Sequence, residues 1–343
     1  MASGDADLTA SERLAESAAR VKQRTATPSA AITPLRVALV IGIGLIAAPF
    51  IFQMLGGENR ALKGADMMDA FKPYMTEPRI TQFQGFLVTI NAAEEEARTK
   101  LLPAVAAAAT TRPQQQAVAA VEDWSAKWRG AADDAIGIDE DMSGMVDDIA
   151  ANLDNYAAVN ALPKFFLFPF FFILPGVMIA LLARAAIKRA RAGHGAGVPG
   201  KALVVMGVGL IAAPFIFQMM GGENRAFEGK AMIDDFAPIM TVENITNIQG
   251  YFPVIGLAEG QLRNDLIPLA GPSAATDYPA ISKFSGQWST ISAEFADFLG
   301  AMNDNLVEYS AVKALPPFSL FPFFFILPGL MVTGLALAAV RRT

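Results

Sequence analysis

Four stretches of the chain run for about twenty residues without a single Asp, Glu, Lys or Arg: Val37 to Leu55, Phe165 to Ala183, Ala202 to Met220 and Phe318 to Val340. A helix of about twenty apolar residues covers the hydrocarbon core of a bilayer. These four stretches therefore read as transmembrane helices. The two long segments between them have a different rhythm. Ile80, Phe83, Leu87, Ile90, Ala97 and Leu101 recur at helical steps, and Ile245, Ile248, Phe252, Ile255, Leu262 and Leu266 repeat the pattern. Further on, Ile281, Phe284, Trp288, Ile291, Phe295, Phe298 and Met302 alternate steps of three and four, a heptad-like seam. Met142, Met145, Ile149, Leu153 and Tyr156 are its expected counterparts. Alternating Val, Ile or Thr runs are scarce, so the prediction is an all-α membrane protein.

Comparison of the chain with itself organises these elements. Gly44 to Met54 and Gly209 to Met219 are the same string, and Gly-Gly-Glu-Asn-Arg-Ala follows both. The offset of 165 persists through Phe71/Phe236, Pro73/Pro238, Glu94/Glu259, Arg98/Arg263 and Pro103/Pro268. Leu-Phe-Pro-Phe-Phe-Phe-Ile-Leu-Pro-Gly begins at Leu167 and again at Leu320, an offset of 153, so the first copy is longer by 165 − 153 = 12 residues. Fixed-offset identity is the mark of a tandem repeat. Each copy holds two spans, so both share one orientation and are related by an axis along the membrane normal. The expected plan is a polar, disordered tail over 1–36, then a first repeat over 37–183 with spans 37–55 and 165–183 around a helical-bundle domain at 58–163. A basic loop over 184–201 leads to a second repeat over 202–340, with spans 202–220 and 318–340 around a second bundle at 223–317, and residues 341–343 end the chain.

Charge orients the plan. Arg184, Lys188, Arg189, Arg191 and Lys201 occupy the short central loop without an acid, and Arg341 and Arg342 follow the last span. Basic flanks stay in the cytoplasm. The segments between spans carry 17 acids against 9 Lys plus Arg (58–163) and 12 against 5 (223–317), so they are expected to face outward. Both termini then lie in the cytoplasm of a cell membrane, and the basic loop is expected to touch anionic lipid.

Composition narrows the chemistry. There is no cysteine and one histidine, His194, within the basic loop. Asp139, Asp141, Ser143, Gly144 and Asp147 follow the first positions of a calcium loop, but its twelfth position, a bidentate Glu, is Ala150 here, and Met142, Met145 and Ile149 belong to a helical seam. No metal, cofactor or catalytic set is expected, and no nucleic acid. Glu94 with Arg98, and Glu259 with Arg263, have the spacing of helical ion pairs.

Three groups of residues remain as candidates. Gly44 with Ala48, and Gly209 with Ala213, are small residues four apart that would let another helix approach, and the first and third spans are expected to pair through them. Phe168, Pro169, Phe172 and Pro175, matched by Phe321, Pro322, Phe325 and Pro328, form kinked aromatic segments read as a lipid-facing or inter-span wedge, or as a surface for an apolar ligand or partner. Gln53, Glu58 and Arg60, matched by Gln218, Glu223 and Arg225, form a membrane-proximal turn that the glutamines are expected to cap. No span contains the ionisable group that an ion-coupled transporter usually carries, and the short cytoplasmic segments leave no room for an output module. The expected function is binding without catalysis, as an accessory or scaffold subunit of a cell-envelope complex. The alternatives are an outer-surface lipid or apolar-ligand module or transport component, and a partner-dependent sensor. Membrane lipids and another membrane or envelope protein are the expected partners.

Overall fold

The computed structural model describes residues 28–131, 136–164 and 167–342. Among them there is helix but no strand. In chain order the longer helices are α1 (Pro28–Met54), α2 (Gly57–Phe71), α3 (Glu77–Glu96), α4 (Arg112–Trp128), α5 (Ile138–Ala151), α6 (Leu153–Asn160), α7 (Phe168–Arg191), α8 (Gly197–Met219), α9 (Gly222–Asp235), α10 (Val242–Gln261), α11 (Pro279–Asp304), α12 (Leu306–Lys313) and α13 (Phe323–Arg341). Four helices are long and apolar enough to cross a membrane. The first begins earlier than its uncharged stretch: residues 28–36, assigned from sequence to the tail, are helical, and Leu35 is buried. The rest of that tail, 1–27, lies outside the described residues.

The chain divides into two compact units. One holds residues up to 59, 163–224 and from 316 onward, and contains the apolar helices. Here α1 packs along α7 and α8 along α13, while α13 also meets α1 and α8 meets α7. Each hairpin closes on a pair of glycines. A methyl group built on Gly42 would stand 2.8 Å from the Ala180 nitrogen and 2.9 Å from the Gly176 oxygen, and one on Gly207 would stand 2.9 Å from the Gly329 oxygen. Such backbone approach supplies dispersion along each hairpin, the contact on which apolar helices rely wherever water exclusion does not drive their association.

The other unit combines 60–162 with 225–315 around one apolar core. This corrects the expectation of two separate bundles at 58–163 and 223–317. α3 packs against α11 and α5, and α10 against α11 and α4, so each half supplies a wall of the other's core. Phe83 of α3 lies 4.8 Å from Phe295 of α11 between ring centroids, and Trp124 of α4 stacks at 6.1 Å on Phe284. An amphipathic helix turns an apolar stripe about 100° wide towards the core. α3 carries apolar residues over a wider arc, with Ile80, Phe83, Phe86, Leu87 and Ile90 all buried, and needs two neighbours to cover it.

Equivalent positions behave alike in detail. Tyr156 donates to the Met68 carbonyl at 2.7 Å and Tyr309 to the Ile233 carbonyl at 2.6 Å. Asn152 and Asn305, at φ −100° and −101°, break the last long helix of each half at the same place, each side chain donating to a carbonyl four residues back. The expected continuous seam from Met142 to Tyr156 is therefore bent at Asn152. Wide π turns at Ala97–Leu101 and Leu262–Leu266 precede Pro103 and Pro268, whose rings exclude ordinary α-helical bonding behind them. The halves differ where the first carries its extra residues: α11 is one helix of 26 residues, whereas α4 and α5 are separate. Gly130, at φ 65°, ends α4, and the Ala131 amide donates back to the Ala126 carbonyl at 2.9 Å.

Polar bridges between the halves have diverged. Asp141 and Glu294 are equivalent positions, but Asp141 accepts the hydroxyl of Tyr251, whereas Glu294 pairs with Arg79. Burial first, and then the Asp141 carboxylate, push the Tyr251 phenol from its usual 10.0 up to about 12. Because the folded-state value is the higher one, the stabilisation is complete below about 10 and is lost as pH rises through about 12. In an ultraviolet titration, one phenolate is expected to appear near 12, and Tyr251→Phe should remove that step. Loss of a step near 10 instead of near 12 in the variant would show that the bridge does not hold the proton.

Candidate functional site

The aromatic end of the membrane-helix unit gathers most of the residues singled out from sequence. Phe172 and Phe325 stack with centroids 4.9 Å apart, and Phe168 and Phe321 lie 5.8 Å apart. Each ring also meets the next along its own segment, Phe168 to Phe172 at 5.2 Å within α7 and Phe321, just before α13, to Phe325 at 5.1 Å. Phe52 and Phe217 extend the column at both sides, each 5.9 Å from its neighbour. These phenylalanines thus fill the interior between α7 and α13. The inter-span wedge is the reading that this geometry supports; Phe172 and Phe325 are buried and offer no surface to a ligand. Pro169, Pro175, Pro322 and Pro328 are half-buried around the column, with Pro175 and Pro328 inside their helices.

The small residues are also reassigned. Methyl groups built on Gly44 or Gly209 would meet nothing within 4 Å, and Ala48 and Ala213 are half-buried. Close approach in α1 and α8 falls two residues earlier, at Gly42 and Gly207, towards α7 and α13. The helical repeat explains the change: a shift of two residues turns the face by about 200°. The expected pairing of the first and third spans through Gly44/Ala48 and Gly209/Ala213 is thereby replaced by hairpins within each half.

At the turn, the backbone does what the glutamine side chains were expected to do. Gly56 N–H donates to the Gln53 carbonyl at 2.9 Å and Gly221 N–H to the Gln218 carbonyl at 2.8 Å, with Gly56 at φ 78° and Gly221 at φ 76°. That left-handed conformation favours glycine. Gly57 and Gly222 lie against the rings of Phe52 and Phe217, where a side chain would collide. Glu58 is half-buried; Glu223 belongs to α9. Arg60 donates to the Ala314 carbonyl at 3.1 Å, and Arg225 to the Ala161 carbonyl at 3.4 Å, each reaching across to the other half. Sequence reading missed this exchange, because only the fold brings residues 254 and 64 apart in the chain together.

Elsewhere the acids serve packing. The ion pairs expected at i, i+4 form: Arg98 to Glu94 and Arg263 to Glu259, both at 3.2 Å. Glu94 is buried and also meets Arg129 at 3.2 Å and the Ser125 hydroxyl. Glu259 has a different setting: its Oε1 is within ion-pair range of Arg263 yet receives no directed hydrogen bond, so charge attraction is what holds it. The calcium-like segment Asp139 to Ala150 lies within the continuous helix α5, and Asp139 accepts from Asn91 at 2.8 Å. A helix cannot wrap these side chains around one ion as a loop does. Glu96 accepts the first amides of α11, Ala280 at 2.8 Å and Ile281 at 3.1 Å, capping a helix of the other half.

What the aromatic end leaves outward is a second set of residues. Phe50, Ile51 and Met54 of α1 and Phe170, Phe171 and Leu174 of α7 are exposed, as are Phe215, Ile216 and Met219 of α8 and Phe323, Phe324 and Leu327 of α13. Met54 and Met219 are 87% and 88% exposed. No family model, curated protein or solved structure matches this chain.

Proposed function

We propose that the chain is a non-enzymatic membrane protein that acts by holding another membrane protein, as an accessory or scaffold subunit of a cell-envelope complex. In this reading the chain is a tandem duplication, both termini are cytoplasmic, and the acidic segments between spans lie on the outer side, as the basic flanks favour.

One observation carries the proposal. At the aromatic end, exposed residues are the same in both halves: Phe50/Phe215, Ile51/Ile216, Gln53/Gln218, Met54/Met219, Phe170/Phe323, Phe171/Phe324 and Leu174/Leu327. At the opposite end, exposed positions have drifted, as in Thr33/Val198, Ile43/Val208, Leu181/Gly334 and Arg184/Leu337. Val40/Val205, Gly44/Gly209, Met178/Met331 and Arg189/Arg342 are kept away from the aromatic end, and Leu55/Met220 differs at it. Acyl chains require only that a lipid-facing side chain be apolar, and they accept Leu, Ile, Val or Phe alike. Internal packing does not restrain exposed side chains. Retention of type at exposed sites therefore favours a surface that fits side-chain shape, and a transmembrane helix of another protein does so. Two like faces on one chain would propagate an open row if they bound copies of themselves, so a different protein is the favoured occupant.

Photo-crosslinking in native membranes tests this. A photoreactive residue at Phe50, Phe170 or Phe215 is expected to capture one discrete protein partner, whereas one at Ile43 or Leu181 should capture lipid alone. Lipid adducts at every position, or adducts only between copies of the chain, would reject the proposal.

A further inference from the structure

We propose that the other end of the membrane-helix unit holds anionic phospholipid headgroups at two equivalent positions, one in each half. Residues 28–57, 163–222 and 316–343 contain no Asp or Glu, so every formal side-chain charge in these stretches is positive. Arg36, Lys188, Arg189, Lys201 and Arg341 are all exposed. The antiparallel hairpins gather them. Gly42 lies against Gly176 and Ala180, which brings Arg36, six residues earlier, level with the turn from Arg184 to Lys188. Gly200 lies against Val340, which brings Lys201 level with the end of α13 near Arg341.

The two halves differ here in an informative way. Equivalent positions read Arg36/Lys201, Lys188/Arg341 and Arg189/Arg342, so charge is kept while Lys and Arg exchange. A bidentate site for a fixed carboxylate or phosphate would not tolerate that exchange, because the guanidinium fork and the ammonium point charge bind differently. A headgroup layer attracting positive charge tolerates it. Helix dipoles account for Lys188, Arg189 and Arg341, which lie in the last turns of α7 and α13. They do not account for Arg36 and Lys201, which lie beyond the first turns of α1 and α8, where the dipole does nothing to favour a cation. Long stems let these side chains run along apolar neighbours and present their charge at the interface.

The test uses the purified full chain in mixed micelles doped with phosphatidylglycerol or with phosphatidylcholine of the same acyl chains, reading lipid retained and melting midpoint. The unmodified protein is expected to retain phosphatidylglycerol preferentially and to melt higher in it, the preference falling with added salt. Each cation near an anionic surface is worth on the order of fivefold. The variant R36Q/K188Q/K201Q/R341Q, which removes two charges per half, should therefore lose roughly 25-fold in preference at each position. The charge-preserving variant R36K/K188R/K201R/R341K should keep it. Equal retention of both lipids by the unmodified protein, loss of preference in the charge-preserving variant, or the same stabilisation by inorganic phosphate would overturn the proposal. The salt series and the charge-preserving variant decide the question even if the glutamine variant fails to fold.

Discussion

Gly42→Ala is expected to lower the thermal midpoint of the detergent-solubilised protein, and Gly42→Leu to prevent recovery of a monodisperse chain, while Gly44→Leu leaves both measurements at the parent's values. The added methyl at Gly42 would stand 2.8 Å from one backbone atom and 2.9 Å from another, and backbone cannot rotate away as a side-chain tip can. Relief requires α1 and α7 to separate, which loses dispersion along the hairpin; overpacking of this kind costs about 1–3 kcal/mol for small additions. Gly207→Ala should repeat the result in α8, because its methyl meets both Thr333 and the Gly329 carbonyl. Size-exclusion chromatography after a heating series reads the outcome directly. Equal tolerance of leucine at 42 and 44 would show that these hairpins are not closed by glycine contact.

Phe83→Ala and Phe295→Ala should each lower the stability of the mixed-half bundle by about 3–5 kcal/mol, the usual cost of emptying a buried aromatic site. Both side chains are essentially inaccessible and their rings touch across the two halves of the sequence. The double variant should then lose less than the sum, by about 0.5–1.5 kcal/mol for the shared ring contact. Denaturant titration followed by tryptophan fluorescence is suited to this, since Trp124 and Trp128 belong to that core and Trp288 packs against it. One transition, shifted alike by a substitution in either half, is expected. Two transitions, one responding to each substitution, would mean that the halves fold independently.

The same core shows how far reading the sequence could go. Helical steps of three and four marked Ile80, Phe83, Leu87 and Ile90 as an inward face, and those residues are buried. The steps could not say which helix covers them, because a periodic stripe fits any other stripe of similar width. Covering α3 with α11 from the other half follows from the breadth of its apolar arc and from contacts such as Phe83 with Phe295, which no local pattern contains. Gly44 and Ala48 failed as a packing face for a related reason. Small residues four apart permit approach but do not require it, and the approaching backbone was found instead at Gly42. Gly42 and Gly207 were legible in principle, as glycines at equivalent positions inside uncharged spans, but nothing local ranked them above their neighbours.

The amino-acid sequence by itself determined the four apolar helices, the helical character of the segments between them, the recurrence of identical strings at offsets of 165 and 153, and the ion pairs at Glu94 and Glu259. These depend on hydropathy, helical periodicity and spacing within a few turns, all written along the chain. Only the tertiary structure decided that the spans pair as hairpins within each half while the segments between them merge into one core. It also decided that Phe172 and Phe325 fill each other's site while Phe50 and Phe170 remain outward. The physical reason is that burial of a given face is settled by competition among distant partners of similar apolarity. That competition turns on fractions of an ångström at glycines and ring edges, and those distances exist only once the chain has folded.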